Sequence, residues 1–176
     1  QQARLLGVAG EVDEAIAAYE KLFGGVPDDV DVAIEYWTLV ARLPARHSEG
    51  VSQLKKLNAS APGNVSLLTA LAKQMFADNK PQEGFAYLAE MARSASGRGS
   101  AADRWYSEVK SMPVSKASVQ ALQQFLLQFP TGSVAANARV LLDQQQAQLQ
   151  APPFPALSDG LEEIKTVKNS QAVEDV

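Results

Sequence analysis

The 176-residue sequence predicts an all-α fold built from stacked helix pairs, and three observations carry that reading. Composition is the first: 46% of residues are hydrophobic but only 7% aromatic, with Ala, Leu, Val and Gln prominent, the mix of a helical domain with a real core. Helix breakers are the second. They fall at Gly10, Leu43–Pro44–Ala45, Asp78–Asn79–Lys80–Pro81 and Ser111–Met112–Pro113. The third is a spaced set of a small residue, an apolar residue four later, another three later and Pro five further on. It reads Ala15/Tyr19/Leu22/Pro27, then Gly50/Leu54/Leu57/Pro62, then Gly84/Leu88/Met91 with Ser96 in the Pro slot, then Ser118/Leu122/Phe125/Pro130. The small positions step by 35, 34 and 34 residues, a period that marks a repeat array.

The first helix of unit one starts at Gln1 and is truncated, so the chain is expected to be cut from a longer one. In the later units the first helix shows one apolar face: Ile34, Trp37 and Ala41, then Leu68, Leu71 and Met75, then Ala102, Trp105 and Val109. The second helices carry the small slot, because two helices cross closely only where Cβ bulk is minimal. Trp37 and Trp105 occupy equivalent positions on the buried stripe and are expected in the core. Residues 1–130 therefore form four repeats. Ser133 to Gln150 has no Gly or Pro and predicts one helix of about 18 residues, about 27 Å long, within an unpaired segment 131–150. Ala151, Pro152, Pro153, Phe154 and Pro155 form a Pro-rich linker expected to act as a hinge, and a further repeat starts over 156–176.

Charge and composition narrow the function. A net charge of −4 supplies no overall positive field for nucleic acid. The absence of Cys removes disulfides and thiolate chemistry, and no apolar run is long enough to insert in a membrane. Neither a catalytic constellation nor a cofactor or metal motif stands out. His47, the only His, lies beside Ser48 and Glu49 at a helix start and is expected to be a capping or solvated residue. Asp28, Asp29 and Asp31 lack the Gly and distal Glu of a calcium loop and suit a helix N-terminus. Gly97-Arg98-Gly99 has neither the Lys nor the strand of a phosphate loop.

A helix-turn-helix unit of this period, with a small residue at the crossing and Pro after the second helix, resembles the tetratricopeptide repeat. That resemblance implies an α-solenoid winding as a right-handed superhelix, interrupted here by the long unpaired helix. The run Gln2 to Glu11, with Glu35-Tyr36-Trp37, Leu43-Pro44-Ala45-Arg46 and Asn58 to Asn64, is similar to the N-terminal repeat region of the BcsC family of bacterial cellulose synthase components. The family resemblance implies a periplasmic, non-catalytic scaffold ahead of an outer-membrane β-barrel. Its expected partners are proteins of the cellulose synthesis and export complex; direct contact with the glucan chain is the alternative.

Repeat solenoids bind in a concave groove lined by their first helices. By the tetratricopeptide resemblance the groove residues are Arg4, Glu35, Leu39, Arg42, Thr69, Lys73, Phe76, Asp103, Ser107 and Lys110. Glu35 and Asp103 stand where a terminal-carboxylate clamp would need Lys. Arg4, Arg42, Lys73 and Lys110 remain to receive acidic groups, and Phe76 is the one aromatic expected to be open to a sugar ring.

Overall fold

The computed structural model describes residues 2–151. Within them lie nine α-helices and one short 3-10 turn. The helices are α1 (Gln2–Ala9), α2 (Val12–Phe23), α3 (Val30–Val40), α4 (His47–Ser60), α5 (Val65–Ala77), α6 (Pro81–Met91), α7 (Ala95–Ser111), α8 (Lys116–Gln128) and α9 (Ser133–Gln150), with the 3-10 turn at Pro44–Arg46. Consecutive helices pack on each other, α1 with α2 through α8 with α9. Contacts between α3 and α5 and between α7 and α9 align the first helices in a row. The result is an all-α solenoid of four helix pairs followed by α9, which docks on α8 and α7 in the place a further first helix would take.

Local chemistry sets the helix ends. Asp29 accepts a hydrogen bond from the Val32 N–H at 3.0 Å, so this acidic residue caps α3 as its composition suggests. Asn64 does the same for α5 through Leu67, and Ser94 for α7 through Gly97. Ser115 and Ser118 form a reciprocal capping box on α8. At its C-terminal end α2 stops on Gly24, whose φ of +71° returns an N–H to the Glu20 carbonyl. Ser96, read as the terminator of the third repeat, instead lies in the first turn of α7, because α6 already ends at Met91.

The small slots explain the helix crossings. Ala15, Gly50, Gly84 and Ser118 are all buried. A Cβ on Gly50 would come within 2.5 Å of the Ala41 backbone nitrogen, and one on Gly84 within 2.7 Å of the Phe76 ring. Leu54, Leu68, Leu71, Leu88, Leu122 and Phe125 are fully covered, and both Trp side chains are buried, with the Trp105 Nε1–H donating to the Ala121 carbonyl. Leu22 departs from its repeat equivalents: it is 68% exposed, whereas Met91 and Phe125 are 1% or less. Its side chain lines a small cavity with Ala3, Phe23 and Val32 and stays open to solvent. Two apolar cores, one under α1–α5 and one under α5–α9, meet at Tyr87, which packs against both. The linker positions Pro152 to Pro155 and the renewed repeat over 156–176 fall outside the described residues; Ala151 caps α9 in an extended conformation.

Candidate functional site

The first-helix row lines a groove made of two adjoining concavities. The larger, about 690 Å³, gathers Arg4, Glu35, Leu39, Arg42, Thr69 and Lys73. The second, about 400 Å³, takes in Thr69, Asp103, Ser107 and Arg104. Thr69 lines both, so the two concavities adjoin along α5. Phe76 and Lys110 line neither.

Glu35 is the hub of the larger concavity. Arg4 grips it with two nitrogens, Nη2 to Oε1 at 2.6 Å and Nε to Oε2 at 2.7 Å, and the Tyr19 hydroxyl donates to Oε2 at 2.6 Å. Burial pushes the Glu35 carboxyl up, but the hydrogen bonds from Arg4 and Tyr19 outweigh it and leave the group below its usual 4.5. Burial, joined by the bond to Glu35, pushes the Tyr19 phenol up to about 12. Arg4 is thus committed to Glu35. Arg42 is committed too, donating from Nη1 to the Gly7 carbonyl at 2.9 Å and so tying the end of α3 to α1. Leu39 is 8% exposed and packs beneath Gly7, where a Cβ would lie 3.0 Å from its Cδ2. It forms the floor of the groove and presents little surface to a ligand.

These commitments correct the expected set of four cations. Arg4 and Arg42 are structural ties, whereas Lys73 and Lys110 are exposed and form no ion pair among the described residues. Phe76 also moves. Its ring folds across Gly84 and meets Phe85 edge-on at 5.0 Å between centroids, so it is half-buried against the core instead of standing open. The cause is position: Phe76 sits one residue from the end of α5, where its side chain closes over the crossing with α6.

His47 is a capping residue and half-buried, but the end it caps is that of the preceding helix. Its Nδ1 lies 2.6 Å from the Ala41 carbonyl, capping the end of α3, and its Nε2 lies 2.7 Å from Asp78 Oδ1 at the end of α5. Three groove residues escaped sequence reading. Tyr19 looked like a core slot but sends its hydroxyl to Glu35; Arg104 carries an exposed pair with Glu108; and the Thr38 hydroxyl is buried with no partner in the concavity wall. Among the described residues, no group of three His, Asp or Glu side chains could hold a metal ion, and no helix is long and apolar enough to cross a membrane.

Stacked helix pairs with small residues at their crossings define a helical tandem-repeat protein. Across 98% of its length the chain is 47% identical to cellulose synthase operon protein C of Salmonella typhimurium and 45% identical to that of Escherichia coli K12. It is therefore homologous to a segment of the cellulose synthase operon protein C family, and spans about 15% of the length of those relatives. No protein-family model matches the chain. Among solved structures it resembles the flexible tandem repeat domain of the BcsC component of bacterial cellulose synthase, with a TM-score of 0.73 and 50% identity over 86% of this chain and 62% of that one.

Proposed function

We propose that the chain is a non-catalytic scaffold segment of a periplasmic cellulose synthesis and export assembly, and that its groove holds an extended stretch of a protein partner. The observation that carries this reading is the run of groove lining through Thr69 from one helix pair to the next. A surface that crosses several repeats suits a chain-like ligand. The uncommitted groups along it, Lys73, Asp103 and Ser107, offer charge and hydrogen bonding, while Arg4, Glu35 and Tyr19 hold the wall rigid. Preorganised walls lower the ordering cost of binding.

Direct glucan binding is the weaker reading, because sugar platforms stack on open aromatic faces and Phe76 is half-buried against Gly84 and Phe85, outside both concavities. The test is a pull-down from cellulose-producing cells with wild-type chain and Lys73→Glu, together with a cello-oligosaccharide titration. A specific protein partner weakened by Lys73→Glu supports the proposal. Saturable oligosaccharide binding with no protein partner reverses the ranking.

A further inference from the structure

The junction between the second and third helix pairs contains a group that the groove does not use. His47 begins α4, and its imidazole is set between two acceptors: the Ala41 carbonyl at 2.6 Å and the Asp78 carboxylate at 2.7 Å. A neutral imidazole has one N–H and one lone pair, so it can donate to only one of them. The other contact then places a lone pair against an oxygen. The imidazolium makes both contacts favourable, the first as a hydrogen bond and the second as an ion pair, since Nε2 finds no partner of good hydrogen-bond geometry. Ala41 belongs to the second pair, at the point where α3 and α4 are closest, since a Cβ on Gly50 would strike its backbone. Asp78 ends α5 of the third pair. The ring therefore links a fixed crossing in one pair to the helix end of the next.

We propose that this junction is a proton-operated latch: doubly protonated His47 ties the second helix pair to the third, and loss of one proton releases the tie. Asp78 favours the charged ring and Lys80, on the same turn, opposes it. Lys55 of α4 is engaged across the joint by Glu83 of α6 at 3.0 Å, and Arg46 is paired with Glu49 beside the ring. The Lys55–Glu83 pair spans the joint and persists when His47 deprotonates, so release loosens the joint without separating it. The hydrogen bond to Ala41, then the Asp78 contact, raise the His47 pKa above its usual 6.5. A raised value means that the latch contributes fully below about 6.5 and is lost as pH rises through the folded-state value.

The chain has one His and no Cys, which makes the test clean. The imidazole is followed by proton NMR against pH. Spin labels on Ala17→Cys in α2 and Gln124→Cys in α8, both exposed positions, report the distance distribution across the joint. The wild-type ring is expected to titrate above 6.5 and to fall toward it in Asp78→Asn, while the label distances broaden between pH 5.5 and 8.5. The open population rises about tenfold for each pH unit by which the folded pKa exceeds the ordinary one. In His47→Gln and Asp78→Asn the distribution should lose its pH response, and two variants guard against one failing to fold. A ring that titrates at or below 6.5, wild-type distances that do not change with pH, or a pH response that survives in either variant would overturn the latch.

Discussion

Ser118 and Gln145 meet at 2.7 Å between α8 and α9, with both side chains buried to 3% exposure or less. Ser118 fills the small slot at the α7–α8 crossing, so one residue serves both the close approach within the fourth pair and the docking of α9. Buried polar atoms left without a partner cost about 1–3 kcal/mol. Ser118→Ala leaves the buried Gln145 Oε1 without its donor and is expected to destabilise the α8–α9 junction by about that amount, whereas after Gln145→Leu the Ser118 hydroxyl keeps its bonds to Ser115 and the loss should be smaller. The double change should cost less than the sum of the two. Chemical denaturation of the single and double variants checks the coupling.

The glycines order themselves by what a methyl group would meet. Gly50→Ala drives a Cβ against the Ala41 backbone, which cannot move aside, and should cost more than the 1–3 kcal/mol typical of overpacking. Gly84→Ala meets the Phe76 ring, a side chain able to shift, and should cost less. Gly99→Ala lies inside α7 with open space around it and should stabilise by about 0.5–1 kcal/mol. Thermal melts of the three variants give the ranking directly.

Repeat-equivalent positions do not carry equal weight. Leu54→Ala and Leu88→Ala remove fully covered side chains and are expected to cost about 2–5 kcal/mol each. Leu22→Ala alters a residue that is 68% exposed and should fall within about 0.5 kcal/mol of the parent chain. Equal losses at all three sites would contradict the helix-pair packing.

Acid should loosen the groove wall through Glu35. Its carboxyl lies below the usual 4.5, so the tie to Arg4 and Tyr19 is complete above that value and is lost as pH falls through the lowered one. Glu35→Gln removes the pH-sensitive part while keeping the shape. Protection factors of the α1 amides, referred to the intrinsic exchange rate at each pH, should fall between pH 6 and pH 3.5 for the parent chain more than for Glu35→Gln.

The repeat architecture was legible because helix crossings demand small residues, and Ala15, Gly50, Gly84 and Ser118 announce themselves by period alone. The Asp29 cap and the two buried Trp side chains were legible for equally local reasons. What stayed hidden depends on neighbours distant in the chain. Leu22 matches its slot by spacing, yet its side chain is left exposed beside Ala3 and Val32. Arg4 and Arg42 carry the right charge for a ligand, yet Glu35 and the Gly7 carbonyl, each far along the chain, take it up. Phe76 has groove spacing, and only the path of α6 draws its ring over Gly84. His47 showed no partner in sequence because Asp78 comes to it from the next repeat.

The role of the groove is tested most directly by placing a photo-crosslinking residue at Thr69, the position shared by both concavities, in the full-length protein in cellulose-producing cells. A partner-binding groove predicts a discrete protein adduct at Thr69, absent from a control crosslinker at Ser52 on α4 and reduced by Lys73→Glu. No protein adduct at Thr69, or the same adduct from Ser52, would contradict it.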